Sequence, residues 1–148
     1  MPLHLEIVTP ERVVFSEDDV ESVTLPAIEG ELTILPRHAA LMTALQPGPL
    51  VFRKGGQELD VALSGGFLEV RDDKVVVLAD TAERSDEIDA ARAEEARREA
   101  QTALATREGE IDIAAVLASL ERAQARIRVV ERRRRRGTPG FPPQPPTS

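Results

Sequence analysis

The feature that most limits how this chain folds is a change in the period of its apolar residues near Ser85. Before it, apolar positions alternate or form short runs, broken at intervals of about 8–12 residues by turn-forming residues, which is the pattern of short strands. Leu3, Leu5 and Ile7 alternate with His4 and Glu6 in "LHLEIVT". The segments "RVVF", "VESVTLP", "GELTILP", "LMTAL", "PLVFRKGG", "ELDVALSGG", "FLEVRDD" and "KVVVLAD" follow. Lys54-Gly55-Gly56 and Asp72-Asp73 carry residues of tight hairpin turns. Short strands with close turns predict a two-sheet β-sandwich or flattened barrel with a core of Val, Leu and Ile.

After Ser85 the period becomes helical. "SDEIDAARAEEARREAQTALA" is rich in Ala, Glu and Arg, with acids where a helix dipole favours them. Gly109 interrupts it, and Asp112 is placed to cap a second helix. There Ile113, Val116, Leu117, Leu120, Ala123, Gln124, Ile127 and Val130 fall on one stripe. The prediction is an antiparallel helical hairpin. Its first helix offers mainly Ala90, Ala93, Ala96, Ala100, Ala103 and Leu104. A buried methyl contributes roughly 0.8 kcal/mol where a buried leucine contributes roughly 1.5–3 kcal/mol, so the hairpin is expected to pack marginally and to detach while the β unit stays folded. These readings divide the chain into a β-sandwich over 1–85, a helical hairpin over 86–136 and a disordered, Pro-rich tail over 137–148.

Charge follows the same division. Residues 1–87 carry 7 basic against 17 acidic side chains, whereas residues 88–148 carry 12 against 9, including the run Arg132, Arg133, Arg134, Arg135 and Arg136. The absence of cysteine removes disulfides, thiolate nucleophiles and most structural zinc sites. His4 and His38 do not form a metal-ligand pattern. Aromatic residues make up 3%, with no Trp or Tyr, which leaves little for stacking on bases, so no nucleic-acid partner is expected. No apolar window approaches the roughly 18 residues that span a bilayer, and the N-terminus has no basic start, so an intracellular, soluble chain is expected.

Catalytic signatures are absent: there is no Walker-type loop, no G-x-G-x-x-G after a strand, no H-E-x-x-H and no G-x-S-x-G. Ser64 before Gly65-Gly66 reads as a turn between strands, His38 as a loop hydrogen-bonder, and Asp18-Asp19 and Asp72-Asp73 as solvated turns. Asp89 and Arg92, three apart, can face one way beside small Ala93, and Arg122 and Arg126, four apart, share a face of the second helix. Such a hairpin could offer a carboxylate to a ribose or base and guanidiniums to phosphates. The same spacing also describes plain surface ion pairs, each worth under about 1 kcal/mol.

"AIEGELTILPRHAALMTALQPGPL", "LSGGFLEV" and "VVVLADTAER", followed by an Ala-rich helical hairpin, closely resemble the epsilon subunits of bacterial F-type ATP synthases, from about Leu3 to about Val130. The resemblance implies a non-catalytic rotor part that couples proton-driven rotation to ATP synthesis and needs no cofactor. Its implied partners are the gamma subunit, the membrane rotor ring and, when the hairpin is extended, the alpha and beta subunits. The implied location is peripheral, on the cytoplasmic face of the bacterial membrane. Glu31, Pro36 and His38 would belong to the docking loop. The extended hairpin would block ATP hydrolysis, and regulatory ATP would favour the compact state.

"IDAARA", Ile88 to Ala93, matches the family's [I/L]-D-x-x-R-A nucleotide motif without a gap, preceded by Glu83, and "ERAQARI" supplies Arg122 and Arg126. The arginines at 132–136 extend past the usual end of the family. They would be an inhibitory contact to acidic residues of the catalytic head, or a dipole-compensating helix end. The rival reading is an adaptor for anionic surfaces, nucleic acid or lipid, that uses the arginine run.

Overall fold

The computed structural model describes residues 2–106 and 112–136, so the predicted interruption at Gly109 and the predicted disordered tail lie outside the described residues. Eight strands come first: β1 (Leu3–Val8), β2 (Val13–Val20), β3 (Ser22–Ala27), β4 (Gly30–Ile34), β5 (Leu41–Lys54), β6 (Gln57–Arg71), β7 (Lys74–Ala79) and β8 (Ala82–Arg84). A 3₁₀ turn, Ser85–Glu87, leads to helices α1 (Ala90–Thr106) and α2 (Ile113–Arg136). The strand order is β2-β1-β7-β6-β5-β3-β4, with β8 also on β6. Among the described residues, only β1 and β7 pair in parallel.

This hydrogen-bonded set makes two layers because β5 and β6 serve both. Leu41–Leu45 of β5 and Gly66–Arg71 of β6 join β7, β1 and β2, whereas Pro47–Lys54 and Gln57–Ser64 join β3, β4 and β8. Phe15 on β2 and Phe52 on β5 meet across the layers with ring centroids 4.9 Å apart. One apolar cluster, from Leu3 to Ala82, fills the space between them and contains no helical residue.

Two features differ from the sequence reading. "LMTAL" with "PLVFRKGG", and "ELDVALSGG" with "FLEVRDD", are each one continuous strand. Gly65 and Gly66, at φ +114° and +142°, bend β6 instead of ending it. A Cβ on Gly66 would stand 2.1 Å from the Leu78 carbonyl oxygen, so a side chain is excluded there. Asp18-Asp19 likewise lies inside β2, where Asp19 at φ 59° accompanies the shift of register against β1. Gly55-Gly56 and Asp72-Asp73, all at positive φ, form the expected two-residue turns.

Helix α2 lies on β5 and β6, and α1 packs on α2. Asp89 caps α1, its Oδ1 accepting the Arg92 N–H at 3.1 Å, and Asp112 caps α2 through the Ala115 N–H at 3.1 Å. Ala93 and Ala100 are the buried residues of α1. On α2, Ala123 and Ile127 belong to the expected stripe, but Gln124 is exposed, and Leu117 is 44% exposed. A second buried line, Ala125 and Val129, shares the side of α2 that carries Arg132 to the sheet. The helix is therefore covered on two sides, which a single-stripe reading does not anticipate.

Candidate functional site

The junction of the two units holds a cleft of about 280 Å³, near the lower end of the roughly 300–1,000 Å³ usual for small-molecule sites. β8 supplies Glu83, the 3₁₀ turn Glu87, the start of α1 Asp89, Arg92, Ala93 and Ala96, and α2 Arg126. Three carboxylates thus face two guanidiniums. Glu83 Oε1 accepts from Arg126 Nε at 2.6 Å, so α2 is tied to β8 at the mouth of the cleft. Asp89 sits at the N-terminus of α1 and spends one oxygen on the cap.

Five of the residues singled out in the sequence meet here: Glu83, Asp89, Arg92, Ala93 and Arg126. Arg122 lies one step away, in a small adjoining cavity with Arg126, Glu83, Ser64 and Thr81. There Ser64 ties β6 to Thr81: its Oγ accepts the Thr81 N–H at 2.9 Å and lies 2.7 Å from Thr81 Oγ1. Ile88 is half-buried and does not line the cleft. Glu87 was missed. Its partners are Arg84, three residues earlier and 2.6 Å away, and Arg12 of the β1–β2 loop at 4.0 Å, and only the fold reveals the second. Among the described residues, no group of histidines and acids could hold a metal ion.

The docking residues do not form one loop. Pro36 and His38 lie in the β4–β5 connection, whereas Glu31 is on β4, paired with Pro26 at the other end of that strand. The connection itself is fixed: Arg37, at φ 65°, donates its N–H to Asp73 Oδ1 at 2.6 Å, His38 N–H bonds to the Leu35 carbonyl at 3.2 Å, and His38 Nδ1 lies 2.7 Å from the Ala39 carbonyl oxygen. A feature absent from the sequence reading is an apolar patch on the outer face of the first layer. Met42, Phe67 and Leu78 are 72%, 60% and 53% exposed, and Phe67 and Leu78 are directly paired. Alternation hides such a patch, because outward apolar residues read as interruptions of the pattern.

Of the arginine run, Arg132 and Arg133 bond to the β unit, Arg132 Nε to Asp60 Oδ1 at 3.2 Å and Arg133 Nη1 to the Ser85 carbonyl at 3.4 Å. Arg134 and Arg135 are exposed, and the Arg136 side chain lies outside the described residues. No described helix is long and apolar enough to cross a membrane.

Comparison with known proteins agrees with this architecture. The beta-sandwich domain of the ATP synthase delta/epsilon chain matches residues 2–85, and the long alpha-helix domain of the same chain matches residues 86–131. The ATP synthase epsilon chain of Herpetosiphon aurantiacus is 51% identical over 136 residues, covering 92% of this chain and 99% of the relative. That of Dehalococcoides mccartyi is 54% identical over 134 residues, covering 90% and 95%. Among solved structures, a chain of the Euglena gracilis mitochondrial ATP synthase, in an OSCP/F1/c-ring assembly, superposes with a TM-score of 0.73 at 25% identity, covering 84% of this chain and 78% of that one. The chain therefore belongs to the ATP synthase delta/epsilon chain family, as an epsilon-type, non-catalytic stalk subunit of the F-type ATP synthase.

Proposed function

We propose that residues 1–85 dock this subunit to the rotor of a bacterial synthase, on the cytoplasmic side of the membrane, and that residues 86–136 are a regulatory arm. The apolar patch of Met42, Phe67 and Leu78 suits a gamma subunit, and Glu31, Pro36 and His38 add polar contacts toward gamma and the membrane ring. Folded onto β5 and β6, the hairpin leaves ATP hydrolysis free. Released along the shaft, it reaches the alpha and beta subunits and blocks hydrolysis, with Arg132, Arg133, Arg134, Arg135 and Arg136 offered to acidic residues there.

No cofactor is required for coupling, and ATP acts as a regulatory ligand. It occupies the cleft of Glu83, Asp89, Arg92, Ala93 and Arg126, where the arginines, joined by Arg122, meet its phosphates; Ile88 supports the turn into α1. The observation that carries the reading is the cleft's composition: it is lined by β8, α1 and α2 together, so a ligand there bonds to both units only while the hairpin is closed. At free ATP of 100 times its dissociation constant, the closed state gains roughly 2.7 kcal/mol. An alanine-lined hairpin is marginal enough for that to decide its position.

The test uses a synthase core depleted of this subunit, to which the full chain or residues 1–85 is returned. The expected result is that both bind, only the full chain suppresses hydrolysis, and ATP relieves the suppression. If both bind and neither inhibits, the regulatory arm is refuted and docking stands. If neither binds, the docking reading fails.

A further inference from the structure

We infer that Asp60 and Arg132 form a latch that closes the hairpin without any nucleotide. The inference deepens the regulatory reading and rests on it for its effect in the complex, but the latch belongs to the chain alone. Along β6, Leu59, Asp60, Val61, Ala62 and Leu63 are all buried, although strand geometry turns alternate residues to opposite faces. Leu59, Val61 and Leu63 enter the sandwich core. Asp60 and Ala62 therefore face outward, and α2 covers that face.

Asp60 is 0% exposed. A carboxylate withdrawn from water is strongly disfavoured unless a cation and hydrogen bonds replace the water. Arg132 does this at 3.2 Å, and its Nη2 also reaches Glu58 Oε2 at 3.8 Å. Released, Asp60 would stand on a solvated sheet face at little cost. Closure in this register sets the Arg132 guanidinium against the buried carboxylate, and taking that guanidinium away would leave Asp60 buried without its cation. The rest of that side of α2 offers Ala125 and Val129, whose burial favours closure but is non-directional and does not select a register as an ion pair does.

The latch also sets up a competition. Arg132 is the first residue of the run proposed to contact the catalytic head, and one guanidinium cannot serve Asp60 and a distant acid at once. The same side chain therefore holds the arm closed and rewards its release, at a site distinct from the nucleotide cleft. Breaking the pair should open the arm even where ATP is absent.

The test is amide exchange in the full chain, free of nucleotide, comparing Arg132→Gln, Asp60→Asn, their double variant, and Arg135→Gln as an exposed control. Each single change at the pair should speed exchange across Ala123–Val130 at least tenfold, with β1 and β7 unchanged. The double variant should exceed neither single, Arg132→Lys should restore part of the protection, and Arg135→Gln should match the parent. Arg132 sits on the hairpin, so its variant reports on the latch even if Asp60→Asn perturbs the sheet. Exchange within twofold of the parent in Arg132→Gln, or single effects that multiply in the double variant, would overturn the latch. If added ATP slows exchange in the parent, the variants should need about tenfold more of it. If ATP changes nothing while the variants still open, the latch stands and the nucleotide reading falls.

Discussion

Asp89 holds two places at once, helix cap and wall of the cleft, and the sequence alone does not separate them. Its carboxylate caps α1 through the Arg92 N–H and also lines the cleft. Serine keeps the cap but loses the charge, whereas alanine loses both, at a cost of about 1 kcal/mol to the helix. Asp89→Ser should therefore preserve amide protection in the first turn of α1 while removing the protection that ATP adds. Asp89→Ala should lower both. If Asp89→Ser retains the full ATP response, measured by exchange over Ala90–Ala96, the carboxylate is a cap and nothing more. The sequence pattern set acids within the first turn of α1, whereas the structure begins the helix at Ala90 and leaves Asp89 one residue outside it, as the cap. The place of Glu87 in the cleft was not legible, since only the fold brings its turn beside Arg126 of α2 and Arg12 of the β1–β2 loop.

At the scale of elements, the period change near Ser85 gave the order of β and α units, and the turns at Gly55-Gly56 and Asp72-Asp73 were legible, whereas the same dipeptides at Gly65-Gly66 and Asp18-Asp19 lie inside strands. The continuity of β5 and β6 was hidden for a related reason. Glycine marks both the end of a strand and a bend within one, and only the pairing of Gly66 with Leu45 and Ala79 tells which applies. The second buried line of α2 was hidden because it ends on Arg132, a charged residue that adds nothing to a hydrophobic period. Gly66→Ala tests the bend. The added methyl meets the Leu78 carbonyl oxygen and must also adopt a φ of +142°, so the β unit should lose about 3 kcal/mol or more in urea unfolding of the full chain. A loss below about 1 kcal/mol would mean that β6 bends without needing this glycine.

For the molecule as a whole, the arrangement of faces matters more than any single contact. The hairpin covers the outer face of the second layer, while Met42, Phe67 and Leu78 stand on the outer face of the first. If the patch docks and the hairpin regulates as proposed, the two use opposite sides, and the arm can open without loosening the subunit from its partner. A bare apolar patch of this kind marks a partner surface, and its central aromatic residue is the natural anchor. Phe67 is 60% exposed, so Phe67→Glu should change the stability of the free subunit by no more than about 0.5 kcal/mol. Burying that glutamate against a partner should weaken binding to gamma by at least about 30-fold. The variant should then fail to inhibit hydrolysis at ordinary concentrations, whatever the state of its hairpin, and recover inhibition when added in large excess. Asp60→Asn, which breaks the latch and keeps Arg132 for the catalytic head, should do the reverse, binding normally and inhibiting more strongly at low ATP. Should Phe67→Glu bind gamma as well as the parent, the patch is not the docking face, and the opposite-face arrangement loses its functional meaning.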